Sequence, residues 1–146
     1  MQRLIVIFLV SGLISCSGGP DNNKSESAPR TADLETVSEN GVGPIDELKL
    51  PDTIDQDLAK KGKNVFEAKC TACHKTDKKY IGPNPTGILE RRNPAWVMNM
   101  IMNPDGMVKE DPVAKALLIE YNGTPMANQN LSEEEARAIL EYFRTL

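Results

Sequence analysis

Two cysteines and a histidine stand together in one short stretch, Cys70-Thr71-Ala72-Cys73-His74. Cys70 and Cys73 are three positions apart, so on a helical turn both thiols project from the same face. Thiols beside an imidazole can ligate a metal, form a redox-active disulfide, or hold a flat molecule by two sulfurs while the imidazole binds its metal. Because His74 is the only histidine of the 146-residue sequence, this chemistry rests on very few side chains.

The number of available donors separates these interpretations. A structural zinc site takes four nitrogen or sulfur ligands, whereas the sequence supplies three here and its only other cysteine is Cys16. A thioredoxin-like pair requires a βαβ context that the sequence lacks, and a structural disulfide gives His74 no role. The Cys-x-x-Cys-His spacing is that of c-type haem attachment. We therefore predict one covalent haem c, attached to Cys70 and Cys73, with His74 as an iron ligand.

The N-terminal residues predict export and lipidation. A positive start is followed by the apolar run LIVIFLVSGLIS, which is typical of a secretory signal and shorter than the about 20 residues of a membrane-spanning helix. Residues 13–16, Leu-Ile-Ser-Cys, resemble a bacterial lipobox, which implies cleavage before Cys16 and a lipid on that cysteine. The alternative is an ordinary signal peptide cut a few residues later. The expected location is the periplasmic side of a bacterial membrane, with the protein anchored through Cys16.

Composition divides the chain into three predicted segments. A signal peptide covers 1–15, a lipidated N-terminus and flexible tether cover 16–43, and a haem-binding domain covers 44–146. The tether has few large apolar residues and no sustained period, which favours disorder. Within the domain, residues 44–52 are expected to lie against it in an extended form. The net charge of −4, without a basic stripe, gives no reason to expect nucleic-acid binding, and we expect a monomer.

The domain is predicted to be all-α, with about four helices joined by proline-rich loops. Asn93 followed by Pro94 is a typical helix start, and Ser132 with Glu135 three residues later predicts a capping box. Apolar residues recur with a period of 3.6, and no stretch alternates in the manner of a strand. The predicted helices cover 55–70, 93–103, 111–123 and the residues from 132 onward.

The segment 57–146 resembles class I, mitochondrial-type, monohaem c-type cytochromes. Gly62 and Phe66 match the small residue and the aromatic residue that this family places where its first and last helices cross. Gly82 and Pro83 match the Gly-Pro that follows its haem motif. The resemblance implies that the Pro83 carbonyl accepts a hydrogen bond from the haem-ligating histidine, which fixes the tautomer and raises the basicity of that ligand.

The sixth iron ligand must be sought among the methionines, because no second histidine exists. Met126 lies 52 residues after His74 on a proline-fixed loop, and in the family the methionine ligand occupies this place shortly before the last helix. The resemblance therefore implies Met126 as axial ligand, with plain packing as the alternative. An amide at 128–130 could hydrogen-bond the loop or the sulfur. The other candidates are adaptable packing residues of the second helix or, for Met107, part of a charged loop: Met98, Met100, Met102 and Met107.

The resemblance implies an electron carrier rather than an enzyme, with redox proteins as partners. Ligation by histidine and methionine fills both axial positions and raises the reduction potential. Positive charge near the attachment motif predicts docking onto an acidic surface, with an ordinary solvated face as the alternative. The four lysines concerned are Lys69, Lys75, Lys78 and Lys79. Arg91, Arg92 and Trp96 are candidates for contacts with the haem propionates, and core packing is the alternative for Trp96.

Three other functions are weighed against a mobile electron carrier. The first is a fixed subunit that receives electrons for one terminal oxidase or reductase, nitrous-oxide reductase among them. The second is a gas sensor in which Met126 dissociates from the iron. The third is a peroxidase, which in this family generally needs a second haem, whereas the chain contains one Cys-x-x-Cys-His motif.

Overall fold

A computed structural model describes residues 39–146, and within this range the secondary structure consists of helices and no strand. The predicted all-α class is confirmed. The predicted signal peptide and most of the predicted tether lie outside the described residues. No helix of 39–146 combines the length and the apolar character needed to cross a bilayer. The six helices of the described range are α1 (Gln56–Lys69), α2 (Ile88–Arg91), α3 (Pro94–Met102), α4 (Pro104–Glu110), α5 (Pro112–Glu120) and α6 (Glu133–Phe143).

The four predicted helices start at the capping residues that the sequence indicates. Asn93 and Asp111 each accept a backbone N–H of the first helical turn, and each precedes a proline at the first helical position. Ser132 and Glu135 form both hydrogen bonds of a capping box. Asp55 caps α1, because its side chain accepts the Leu58 N–H. Local sequence therefore determines where these helices begin.

The short helices α2 and α4 are not predicted from the sequence. The expectation that Met107 lies in a loop is wrong, because the chain restarts a helix at Pro104 directly after α3 ends. Asn103 accepts the Gly106 N–H and thereby caps α4. Met107 is 0% exposed, and its sulfur accepts a hydrogen bond from the Val42 N–H at 3.0 Å. In the sequence Gly106 suggests a loop, because glycine has a low helix propensity. In the structure the cap at Asn103 outweighs this effect of Gly106.

The first and last helices pack against each other at Gly62. A Cβ atom at this position would lie 1.9 Å from the carbonyl oxygen of Ala138, so the backbone of α6 occupies the space that any side chain would need. Phe66, one turn later on α1, is buried and lies 5.6 Å, centroid to centroid, from the rings of both Tyr142 and Phe143. Gly62 and Phe66 therefore lie at the contact between the first and last helices, where the resemblance places them.

Residues 40–55 have no regular secondary structure and run along the helices; we call them the N-terminal strap. The amide of Asn99, which is 1% exposed, accepts the Ile45 N–H at 3.0 Å and donates to the carbonyls of Asn40 and Ile45 at 2.7 and 2.9 Å. Asn103 donates to the Val42 carbonyl. These contacts begin at Asn40, inside the stretch that the sequence predicts as tether. The amides of Asn99 and Asn103 thus attach the strap together with its apolar side chains, which pack in or against the core: Val42, Ile45, Leu48 and Leu50.

A buried carboxylate attaches the other end of the strap to α6. Glu141 is 0% exposed and accepts the Asp55 N–H at 2.8 Å, while Arg144 pairs with the same carboxylate at 2.8 Å and Arg137 with its other oxygen. Arg144 also donates to the Pro51 carbonyl at 2.6 Å. Burial raises the pKa of Glu141, but the Asp55 N–H and the two arginines outweigh it, so the pKa lies below its ordinary value.

Glu141→Gln is expected to lower the free energy of unfolding at pH 7 by about 1.5–3 kcal/mol, the usual worth of hydrogen bonds to a charged group. Because the folded-state pKa of Glu141 is lowered, its contribution is present at neutral pH and is lost as the pH falls through that pKa. Urea unfolding of the haem-loaded protein at neutral and acid pH measures both effects. Glu67→Gln is the control, because Glu67 lies on the exposed face of α1. Equal stability of Glu141→Gln and wild type at pH 7 would contradict the stabilising role of the Glu141 carboxylate.

Candidate haem site

The attachment motif continues from the last turn of α1. Cys70 caps this helix, its N–H bonding to the Phe66 carbonyl, and its own carbonyl accepts the N–H groups of Cys73 and His74 at 3.1 and 2.9 Å. Cys70 and Cys73 are not joined in a disulfide; Cys70 is half-buried and Cys73 exposed. Burial raises the pKa of the Cys70 thiol, although the charge of Lys69 opposes this. The turn therefore presents two cysteine side chains and one imidazole at the end of a helix.

The imidazole of His74 is fixed by the backbone that follows it. Its Nδ1 lies 2.8 Å from the Pro83 carbonyl oxygen, and because a carbonyl only accepts, Nδ1 carries the proton. The Gly82 N–H bonds to the Cys73 carbonyl at 2.8 Å, which folds the loop back over the motif. Nε2 consequently keeps its lone pair for a metal. This is the hydrogen bond that the resemblance assigns to Pro83, and in metal sites it orients the ligand and raises its basicity.

Gly82 lies directly against this ring. A Cβ atom there would approach Cε1, Nδ1 and Nε2 of His74 to 2.6, 2.9 and 3.0 Å, so no side chain fits between the backbone and the imidazole. The contact prevents the ring from rotating toward the loop. His74 is thus held by one hydrogen bond and one steric contact.

Met126 lies half-buried on the loop between α5 and α6. Gly123, with φ of +71°, ends α5 through a hydrogen bond from its N–H to the Leu118 carbonyl at 2.8 Å. Asn128 accepts the N–H of Asn130 at 2.8 Å and donates to the Met102 carbonyl at 3.4 Å. Within 39–146 no hydrogen bond reaches the Met126 sulfur, so the amide of Asn128 organises the loop and leaves the sulfur available.

The remaining methionines divide into two groups. Met98 and Met107 belong to the buried core, and the Met107 sulfur already accepts the Val42 N–H. Met100 and Met102 are half-buried and pack against that core from α3. Among 39–146, Met126 is the methionine that combines partial exposure with a position outside a helix. Its role as an iron ligand stays a prediction.

Apolar side chains that remain accessible give the site the character of a haem pocket. Tyr80 and Ile81, between the motif and Pro83, are 52% and 43% exposed and form apolar surface beside the motif. Several others pack against the core on one side and stay partly open: Ile88, Leu89, Met100, Met102, Val113, Leu117 and Phe143. Two thiols, a fixed imidazole and this accessible apolar surface fit a covalently attached haem.

The candidates for propionate contacts already have partners. Arg91 donates to the backbone carbonyls of Thr86 and Asn84 at 3.0 and 3.2 Å. The indole N–H of Trp96 lies 3.3 Å from an Asp111 carboxylate oxygen, and its ring is buried. The arrangement of Trp96 is therefore that of core packing, the alternative that the sequence left open.

Class I c-type cytochromes are all-α domains with a Cys-x-x-Cys-His turn whose histidine is hydrogen-bonded to a following Gly-Pro. This chain has each of these features. A sequence model described as cytochrome c matches residues 59–146, and the chain belongs to the cytochrome c family. It is similar to cytochrome c from Rhodothermus marinus, with 44% identity, a TM-score of 0.71 and coverage of 77% of this chain and 96% of that one.

Two further cytochrome c structures are similar to this chain, the second of them less so. An engineered Rhodothermus marinus cytochrome c is 44% identical, with a TM-score of 0.70, over 74% of this chain and 93% of that one. The cytochrome c domain of the pp3183 protein from Pseudomonas putida is 29% identical, with a TM-score of 0.54, over 57% of this chain and 85% of that one. Among curated proteins no match is found. The protein accordingly binds one covalent haem c and is a monohaem electron carrier.

Gly82→Ala is expected to displace the His74 ring and weaken its hydrogen bond to Pro83, since the added methyl group would overlap the imidazole. A less basic imidazole stabilises ferric iron less, so the reduction potential should rise and the visible spectrum should change. Redox titration measures this. Gly87→Ala strains a left-handed backbone (φ of +65°) in the same loop but meets only the flexible side chains of Arg91 and Glu90, so it is the control. An unaltered potential in Gly82→Ala would contradict the steric argument.

Proposed function

We propose that the protein is exported, is held at the periplasmic side of a bacterial membrane by a lipid on Cys16, and passes single electrons between larger respiratory redox proteins. His74 and Met126 are the proposed iron ligands, Cys70 and Cys73 the attachment points, and the Pro83 carbonyl supports His74. When bound, the haem supplies an iron that alternates between the ferric and ferrous states.

The observation that carries this proposal is the different fixation of the two ligand residues. His74 is held rigidly, by the Pro83 carbonyl at 2.8 Å and by the backbone of Gly82. Met126 lies on a loop that leaves its sulfur without a hydrogen-bond donor within 39–146. An imidazole and a thioether together favour the ferrous state more than two basic ligands do, and they occupy both axial positions. These properties suit electron transfer better than oxygen chemistry.

The surface beside the attachment motif supports docking to another protein. Tyr80 and Ile81 supply exposed apolar area, and Lys75, Lys78 and Lys79 lie close to them in the sequence. Apolar area ringed by charge is the usual composition of a transient interface. Two of the four proposed lysines already have internal contacts: Lys75 donates to the Thr71 carbonyl at 2.7 Å, and Lys79 pairs with Glu120 at 2.8 Å.

The lysines that remain for steering a partner are therefore fewer than the sequence suggests. Lys69 and Lys78 are exposed and have no ion pair within 39–146, and the exposed acidic residues Glu67 and Asp77 lie close to them in the sequence. We propose that Lys69 and Lys78 steer an acidic partner, and that the apolar contact at Tyr80 and Ile81 stabilises the complex once it has formed.

Met126→Ala tests the ligand assignment. We expect loss of the weak red charge-transfer band of sulfur-ligated ferric haem and a lower reduction potential, because the thioether that stabilises ferrous iron is removed. Met100→Leu is the matched control, since Met100 is also half-buried and is the alternative source of a thioether. Visible spectra and redox titration of both variants decide the question. Retention of the band in Met126→Ala, or its loss in Met100→Leu, would overturn the assignment.

Cys16→Ala tests the anchor. Without the cysteine no lipid can be attached, so the variant should move from the membrane fraction to the soluble periplasmic fraction while keeping its haem spectrum. Ser11→Ala, within the apolar run of the signal, is the control and should stay with the membrane. Cell fractionation followed by haem absorbance measures the distribution. Continued membrane association of Cys16→Ala would argue against lipidation.

A further inference from the structure

One side chain connects the two loops that carry the proposed iron ligands. Lys79 lies in the loop between His74 and Pro83, and its Nζ is 2.8 Å from an oxygen of Glu120, the last residue of α5. The same ammonium lies 4.2 Å from the centroid of the Tyr121 ring. The pair joins positions 41 residues apart in sequence. It therefore links the histidine side of the site to the start of the loop that carries Met126.

The loop beyond this link has few other attachments. From Gly123 to Ala127 the residues other than Met126 are exposed, and a Cβ atom on Gly123 would meet nothing within 4 Å. The next side-chain contact from the loop to the domain is that of Asn128 with the Met102 carbonyl, at 3.4 Å. Asn122 and Gly123 both have positive φ angles, of 57° and 71°. Within 39–146 the Met126 segment thus has side-chain hydrogen bonds to the rest of the domain at its two ends and none from Gly123 to Ala127.

We propose that Lys79 is a positioning residue for Met126, and that its contact with Glu120 and Tyr121 limits how often the loop opens and exposes the sixth iron position. This inference rests on the proposed ligand role of Met126. When the contact breaks, residues from Tyr121 onward lose their link to the histidine side of the site. The loop can then move about Asn122 and Gly123, where the backbone has open space. A partner whose acidic groups compete with Glu120 for Lys79 would loosen the same loop.

The exposure of the contact determines how it should respond to salt. The side chains of Lys79 and Glu120 are each 56% exposed, so the ion pair is weak and is screened as ionic strength rises. The hydrogen bond from Lys79 to Glu120 raises the pKa of Lys79 above its ordinary value. Given the usual strengths of exposed ion pairs and cation–π contacts, loss of the contact of Lys79 with Glu120 and Tyr121 should increase loop opening about two- to tenfold.

Glu120→Gln in the haem-loaded protein tests the proposal with two readouts. Hydrogen exchange of peptides covering 121–132 reports loop opening whatever the iron ligand is. The rate of imidazole binding to the ferric protein reports exposure of the sixth position. Both should increase about two- to tenfold at low salt, and raising the salt should bring wild type toward the variant. Lys79→Gln, which also removes the contact with Tyr121, should have at least as large an effect.

Glu67→Gln is the matched control, because Lys63 and Glu67 form an ion pair of the same exposure, 55% and 57%, wholly within α1. It should change neither readout. Unchanged exchange over 121–132 in Glu120→Gln overturns the proposed contact, and faster exchange with unchanged imidazole binding overturns its link to the sixth position. If Met126→Ala keeps the charge-transfer band, the ligand assignment fails instead, and the exchange measurement still decides whether Lys79 holds the loop.

Discussion

The close approach of α1 and α6 at Gly62 is the contact on which the haem site depends. The backbone of Ala138 occupies the place of a side chain at Gly62, so the two helices have essentially one possible distance there. α1 ends two turns later, and the attachment motif starts at its cap. Because a helix rises 1.5 Å per residue, any shift of α1 along α6 would move both thiols and His74 by the same amount. The crossing thus sets the position of the whole proximal side of the site.

Buried polar groups supply the second level of order. The amide of Asn99 and the carboxylate of Glu141 are almost completely inaccessible, yet each satisfies backbone groups of the N-terminal strap. A buried polar side chain is costly unless it is paired, so these two residues define one position for the strap and penalise others. The strap in turn covers Trp96 and Met107 through Gly41 and Val42. Its polar anchors and the apolar core beneath it therefore depend on each other.

The sequence predicts those parts of the fold that local chemistry specifies. The caps at Asn93 and Ser132 and the Cys-x-x-Cys-His motif are short-range signals, and the corresponding elements lie where they are expected. The helix containing Met107 escapes prediction because Gly106 weakens the pattern there, while the stabilising contact comes from Val42, 65 residues away in sequence. The burial of Glu141 escapes for a similar reason: its charge suggests solvent, and its partner Asp55 is 86 residues distant. Polar contacts between residues far apart in sequence produce no periodic pattern of residue types, so the sequence alone does not reveal them.

The two proposed iron ligands are held by different physical means, and the difference follows from their chemistry. An imidazole is directional, so His74 needs a defined tautomer and orientation, which the Pro83 carbonyl and the Gly82 backbone provide. A thioether on a flexible side chain tolerates more variation, so Met126 can be carried by a loop with contacts at its ends only. In the proposed arrangement, a firmly packed loop would make the sixth position permanent, whereas a loop held by the exposed Lys79–Glu120 pair would keep it closed but responsive to surrounding charge. The polar residues around Met126 are therefore compatible with its proposed role, because an exposed loop is solvated while Met126 itself stays half-buried.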